Sequence, residues 1–221
     1  MAKVDYKLVV GSKQVSSWSL RPWLLMRQAG IGFEEVVVQL RRTTTSPEIL
    51  KHSPAGLVPI LKHGKLAVWD SLAIAEYLNE RHPDKQLWPA DPAVRAQARC
   101  ISAEMHSGFR ELRYGLGMEF TSRGLTPQIN AQCAKDIRRV VQIWSGTRNQ
   151  HGASGPFLFG TFTIADAMYA PVASRFTSYG TRLAEYADDG AAEAYRAMMM
   201  ALPAMAEWGK GATEEPPYEG E

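Results

Sequence analysis

The stretch Val58-Pro-Ile-Leu-Lys-His-Gly-Lys-Leu-Ala-Val-Trp-Asp-Ser71-Leu-Ala-Ile-Ala-Glu-Tyr-Leu-Asn-Glu80 changes its hydrophobic period part-way, and that change decides the fold. Residues 57–61 and 66–69 are short apolar runs separated by Lys62, His63, Gly64 and Lys65, the spacing of a β-hairpin with glycine in its turn. From Ser71 to Arg81 the apolar residues Leu72, Ala75, Tyr77 and Leu78 follow a helical spacing instead. Upstream, Phe33 begins a run to Leu40 that alternates at Val36, Val38 and Leu40, as a strand does. Residues 18–29 put Leu20, Trp23 and Leu24 on one helical face before Gly30 and Gly32 stop it. Tyr6, Leu8 and Val10 mark a first strand that ends at Gly11 and Ser12. Strand, helix and strand in close succession make a βαβ unit with a parallel pair.

Past Arg81 the pattern changes. Pro83, Pro89 and Pro92 make 82–92 an extended linker. Helical periodicity then covers 93–120, 127–150, 163–174 and 191–208, the last with a break at Pro203, and no strand is evident. The acidic, proline-containing end from Gly211 reads as disordered. The expected organisation is a small α/β domain over 1–81, an all-helical domain over 93–210, and a disordered tail over 211–221.

Composition bounds the function. Of 221 residues, 45% are hydrophobic and 22% charged, as in an ordinary globular protein. Lysine and arginine total 25 against 23 acids, and no like-charge run appears, so neither a nucleic-acid groove nor a membrane patch is indicated. Cys100 and Cys133 are too few for a disulfide framework. The N-terminus shows no signal-peptide pattern, and 156–174, though apolar, carries Asp166 near its middle. A cytoplasmic protein is expected.

Four segments carry chemistry. In Ser16-Ser17-Trp18-Ser19-Leu20-Arg21 a serine stands at a helix N-terminus, where free N–H groups and the helix dipole favour an anion. Its hydroxyl could lower the pKa of a bound thiol from about 8.5, or simply cap the helix. In Leu57-Val58-Pro59-Ile60-Leu61 the proline removes a ladder donor, and a cis Val58–Pro59 bond would turn the Val58 backbone outward toward an extended peptide. Asp70 and Ser71 can receive the ammonium and the carboxylate of an α-amino acid, or act as a plain cap. Thr163 and Asp166 have the spacing of a structural capping box, with Asp in place of Glu. The five histidines show no metal-ligand spacing, so no metal is expected.

Together these segments resemble the glutathione transferase family over nearly the whole chain. Residues 58–80 resemble its thioredoxin-like glutathione site, Gly160-Thr-Phe-Thr-Ile-Ala-Asp166 its helical-domain capping signature, and Ser-Ser-Trp-Ser-Leu-Arg the Ser-Ser-Cys-Ser-x-Arg motif of the zeta class, which includes maleylacetoacetate isomerases. The resemblance implies a βαβαββα thioredoxin-like domain, an all-α domain and a homodimer. It implies glutathione as co-substrate and a hydrophobic electrophile as partner. It places thiol activation on Ser16 or Ser17, the cysteinyl backbone contact on Val58 beside cis Pro59, and the γ-glutamyl contacts on Asp70 and Ser71. Leu57 stands where many members carry a polar residue for the glycyl carboxylate, which leaves Lys51, His52 or Arg42 as substitutes. Trp18 replaces the zeta cysteine, and the lack of a cysteine in this loop argues against mixed-disulfide chemistry. A glutathione-dependent isomerase and a non-catalytic binding protein are the alternatives. Met105, His106, Phe109 and Arg110 are candidates for the electrophile pocket. The apolar series Val94 to Phe120 would leave a second stripe for a partner subunit.

Overall fold

A computed structural model describes residues 5–217. The α/β part consists of β1 (Tyr6–Gly11), α1 (Ser17–Gln28), β2 (Glu34–Val38), α2 (Thr45–Leu50), β3 (Ile60–His63), β4 (Leu66–Trp69) and α3 (Ser71–Arg81). The strands form one sheet in the order β2-β1-β3-β4, with β1 parallel to β2 and the other pairs antiparallel. Alternation along the strands sorts side chains to two faces. Tyr6, Leu8, Val10 and Leu61 enter the main core with Leu20, Trp23 and Leu24 of α1 and Ile74 and Leu78 of α3. Val9, Val38 and Ile60 point the other way and are covered by Ile49 of α2.

Helices α4 (Pro92–Ser107), α5 (Arg110–Gly115), α6 (Ala131–His151), α7 (Ile164–Ser178), α8 (Ala191–Met200) and α9 (Pro203–Thr213) follow. Nearly every residue of α7 is buried, and it packs against α1 on one side and α4 on another. This joins the helical part to the α/β part. Among the described residues, no helix is long and apolar enough to cross a membrane.

The βαβαββα order implied by the resemblance is present, including α2 in the polar segment after β2, a six-residue helix whose only buried residue is Ile49. The structure corrects two other expectations. The helix expected over 93–120 breaks at Gly108. The Gly108 amide still bonds to the Glu104 carbonyl, at 2.9 Å, but its own backbone is extended and Phe109 is left-handed at φ 58°. A Cβ at Gly108 would lie 2.8 Å from the Glu104 oxygen, so only glycine fits this turn. The break re-aims the chain, so Met105, Phe109, Leu112, Leu116 and Phe120 are all buried, while Val94 and Ile101 are partly buried against the same core. Lastly, the tail is ordered further than expected. Gly211 lies inside α9, and the Glu215 carboxylate accepts hydrogen bonds from the Lys13 and Gln14 amides, the latter at 3.2 Å. Residues 218–221 of that expected tail lie outside the described residues.

The C-terminal helix also holds the loop that leads into α1. Trp208 donates its indole N–H to the Lys13 carbonyl at 2.9 Å. The Lys13 ammonium lies 5.5 Å from the ring centres of both Trp23 and Trp208 and pairs with Glu35 at 2.7 Å.

Asp166 does what its spacing implies, and more. Its carboxylate accepts from the amides of Leu158 (3.0 Å) and Thr163 (2.8 Å) and from the hydroxyls of Thr163 (3.1 Å) and Tyr195 (3.0 Å). Burial pushes its pKa up from 3.8 to about 6, and these bonds offset only part of that. Asp166→Ala should lower stability by about 3 kcal/mol in urea unfolding, since it leaves buried donors without an acceptor. Because the folded value lies above the unfolded one, Asp166 stabilises the native state less as pH rises. The gap between wild type and variant should therefore narrow from about pH 4 to about pH 6 and stay level above.

Candidate active site

The loop after β1 places Ser16 and Ser17 at the start of α1. Ser16 is the N-cap: its Oγ accepts from the Ser19 amide at 3.4 Å and donates its proton to Ser19 Oγ at 2.8 Å. Ser19 Oγ in turn accepts from the Gly11 amide, at the end of β1, at 2.9 Å. Ser17 opens the first turn, and its Oγ accepts from Arg175 Nη2, reaching across from α7, at 3.1 Å. Both serines are buried.

Facing α1, the hairpin and the start of α3 enclose a cavity of about 360 Å3, lined by Trp18, Leu57, Val58, Pro59, Trp69, Asp70 and Ser71. That is within the range of about 300–1,000 Å3 for small-molecule sites. The Val58–Pro59 peptide is cis, and β3 begins only at Ile60, so Val58 stands on the cavity wall outside the strand ladder. Leu57 and Trp69 are exposed at the mouth.

Asp70 is the N-cap of α3 at φ 76°, a backbone region that costs a non-glycine residue about 1–3 kcal/mol. Its side-chain bonds hold it there. Oδ1 accepts from the amides of Leu72 (2.8 Å) and Ala73 (3.2 Å), while Oδ2 meets His106 Nε2 at 2.7 Å. Burial raises the Asp70 pKa, but the bonds from His106, Ala73 and Leu72 outweigh it and hold the carboxyl below its usual value.

Behind Trp18 and Ser71 lies a group of cations, Arg21 and Arg175 buried and Arg113 half-buried. Arg21 donates to Ser71 Oγ at 3.4 Å, and its guanidinium lies 4.3 Å from the Trp18 ring centre. Arg113 lies 4.7 Å from the same ring and bonds the carbonyls of Met105, His106 and Gly108, closing the end of α4. Arg175 bonds the carbonyls of Arg113 and Leu116 as well as Ser17. Burial, then the neighbouring cations, lowers the pKa of Arg21 well below its usual value and that of Arg175 to about 10. Nε and Nη2 of Arg21 have no hydrogen-bond partner among the described residues. These cations thus stand behind the lining residues Trp18 and Ser71, while Asp70 supplies a negative group in the lining itself.

The family model for the N-terminal domain of glutathione S-transferases matches residues 15–81, which include every residue lining the cavity. A glutathione S-transferase from Dianthus caryophyllus is 38% identical over 81% of this chain and 82% of its own. The chain belongs to the glutathione S-transferase family. A probable maleylacetoacetate isomerase from Caenorhabditis elegans is 36% identical over 82% of this chain and 85% of its own. In fold, the chain is similar to a glutathione transferase homologue from Burkholderia solved with bound glutathione. That structure has a TM-score of 0.68 and 22% identity, and the alignment covers 96% of this chain and 99% of that one. The thioredoxin-like α/β part followed by helices is the architecture of this family.

Among the residues expected at the site, Val58, Pro59, Asp70 and Ser71 share one cavity with Trp18. Ser16 and Ser17 lie at the adjoining helix terminus, buried and outside its lining. His52 is elsewhere, lining a groove with Arg42, Thr44 and Glu48, and a second with Lys7 and Lys62. Lys51 pairs with Glu48 on the surface. Of the electrophile-pocket candidates, Met105 and Phe109 are core residues, Arg110 is exposed against Tyr114, and only His106 reaches a residue of the cavity. Sequence reading missed Arg113 and Arg175. The signal was there in part: Arg175 and Asp166 are the only charged residues of α7. Ser17→Ala should leave Arg175 Nη2 without its hydroxyl acceptor and lower stability by about 1–3 kcal/mol, measured by denaturant unfolding.

Proposed function

We propose that this family member binds glutathione in the cavity beside Trp18 and uses its thiolate to attack a hydrophobic, electrophilic small molecule. The observation that carries this reading is the convergence of Val58, Pro59, Asp70 and Ser71 on one cavity. An extended tripeptide fits the set. The Val58 backbone pairs with the cysteinyl unit. Ser71 and the first amides of α3 take the γ-glutamyl carboxylate, with the Arg21 charge behind them, and Asp70 takes the ammonium. The thiolate lies toward the start of α1, where the dipole and the buried arginines favour negative charge. The Ser16 hydroxyl turns from Ser19 Oγ to donate to it, which makes the enzyme serine-type.

Calorimetric titration with millimolar glutathione tests the binding. No heat of binding would point instead to a non-catalytic member of the family. Ser16→Ala should lower kcat on an aromatic halide about ten- to a hundredfold, the worth of one donated hydrogen bond to a thiolate. Ser17→Ala should affect turnover less. Equal turnover in wild type and both variants would refute the serine mechanism, and the reverse order would move the role to Ser17.

A glutathione-dependent isomerisation is the second reading, supported by the similarity to the Caenorhabditis elegans protein. Against it stands Trp18, whose large ring occupies the wall where the zeta motif has cysteine. Turnover of aromatic halides without turnover of maleylacetoacetate analogues would separate the two.

A homodimer using α3 and α4 is proposed from the family alone. The exposed positions of α4 include Ala93, Ala96, Cys100, Ala103 and Ser107, a face of small side chains. Light scattering should give about twice the chain mass of 24.5 kDa.

A further inference from the structure

The Asp70 carboxylate is the group offered above to an ammonium ion, yet it is already engaged by a side chain from the other part of the molecule. His106 sits in the last turn of α4, and its Nε2 lies 2.7 Å from Asp70 Oδ2. The contact is built. Arg113 bonds the Met105, His106 and Gly108 carbonyls and so holds the end of α4, while the Trp18 ring meets the imidazole edge-on at 5.4 Å between centres. On the other side, the Leu72 and Ala73 amides hold Oδ1 and leave Oδ2 facing His106.

We infer that His106 is a positioning residue for the glutathione site, holding Asp70 across the cleft and coupling capture of the γ-glutamyl ammonium to loss of a proton from the imidazole. The inference rests on the glutathione reading of this cavity. A carboxylate has about four acceptor positions, and here two amides and one imidazole nitrogen use part of them. An arriving ammonium must therefore share Oδ2 with His106. If the imidazole is charged, two cations compete for one carboxylate. If it is neutral, its N–H still orients Oδ2 while the negative charge is left for the ligand. An imidazole is the side chain that changes between these states near neutral pH.

Charged groups of both signs surround the imidazole. Asp70 and the C-terminal end of α4 favour the charged imidazole. Arg113 of α5 and Arg21 of α1, both packed on the Trp18 ring beside it, favour the neutral one. From α7, Arg175 adds to the positive side, while Tyr169 bonds the Ile101 carbonyl. Glu104, the nearest acid on α4 itself, is committed to Arg139 at 2.7 Å. On this proposal, the ligand ammonium adds one more cation beside Asp70 Oδ2, in competition with a proton on His106.

The test uses the full chain and S-methylglutathione, which keeps the ammonium and both carboxylates but has no thiol to titrate. Wild-type affinity should rise about tenfold between pH 5.5 and 7.5, a coupling of ordinary size for two linked sites. Titrations at pH 6.5 in phosphate and in Tris should differ in heat by the buffer protonation that proton release requires. His106→Gln keeps an N–H donor and loses the titration, so its affinity should be flat with pH and near the wild-type value at pH 7.5. An equal rise in wild type and variant, or a flat wild type with no buffer dependence, would overturn the proposal and leave glutathione binding intact. Should His106→Gln fail to fold, the buffer comparison on wild type decides alone. No binding of S-methylglutathione at any pH would overturn the glutathione reading itself.

Discussion

Helix α7 brings two charges, Asp166 and Arg175, into the core, and the positions of the other elements follow from how those charges are satisfied. An unpaired buried charge costs several kcal/mol, so each one dictates the groups around it. Asp166 gathers the amides of Leu158 and Thr163 and the Tyr195 hydroxyl, which fixes the entry to α7 against α8. About two and a half turns later, Arg175 bonds the carbonyls of Arg113 and Leu116 around the α5 terminus, and Ser17 at the start of α1. One rigid helix thereby sets the helical part against the loop that bears the serines.

The same packing lays out the electrostatics of the site. Arg21, Arg113 and Arg175 converge behind Trp18 and Ser71, where low dielectric strengthens their combined field. Asp70 sits at the opposite sign, shared between the α3 amides and His106. The cavity therefore presents a carboxylate in its lining and cations behind Trp18 and Ser71. Among the described residues, the Asp70–His106 contact alone joins a negative group lining the cavity to an imidazole, and the proposed proton linkage is placed there.

Much of the fold could be read from local pattern. The hairpin at 57–69, the flanking βαβ unit and the caps at Ser16, Asp70 and Thr163 all arise from periodicity and short-range hydrogen bonding, and the structure contains them. Helix α2 was implied by the resemblance but not readable from periodicity, because six residues with one buried side chain carry no period. The break at Gly108 was hidden for a different reason: apolar residues on both sides of it keep helical spacing, and only the close approach to the Glu104 carbonyl reveals that the chain must turn. The acidic tail looked disordered because its partners, the Lys13 and Gln14 amides, lie some two hundred residues away in sequence.

The sequence by itself determined that Val58, Pro59, Asp70 and Ser71 stand together, since they fall within one hairpin-helix unit whose geometry short-range forces dictate, and the four line one cavity. It could not determine what stands around that set. His106 reaches Asp70, and Arg175 reaches Ser17, across separations of 36 and 158 residues. Lys51 and His52, close to Val58 in the chain, end on other surfaces. Such pairings depend on where whole helices come to rest, and that is settled by the burial of α7 and the satisfaction of its charges, for which no local stretch of sequence carries a pattern.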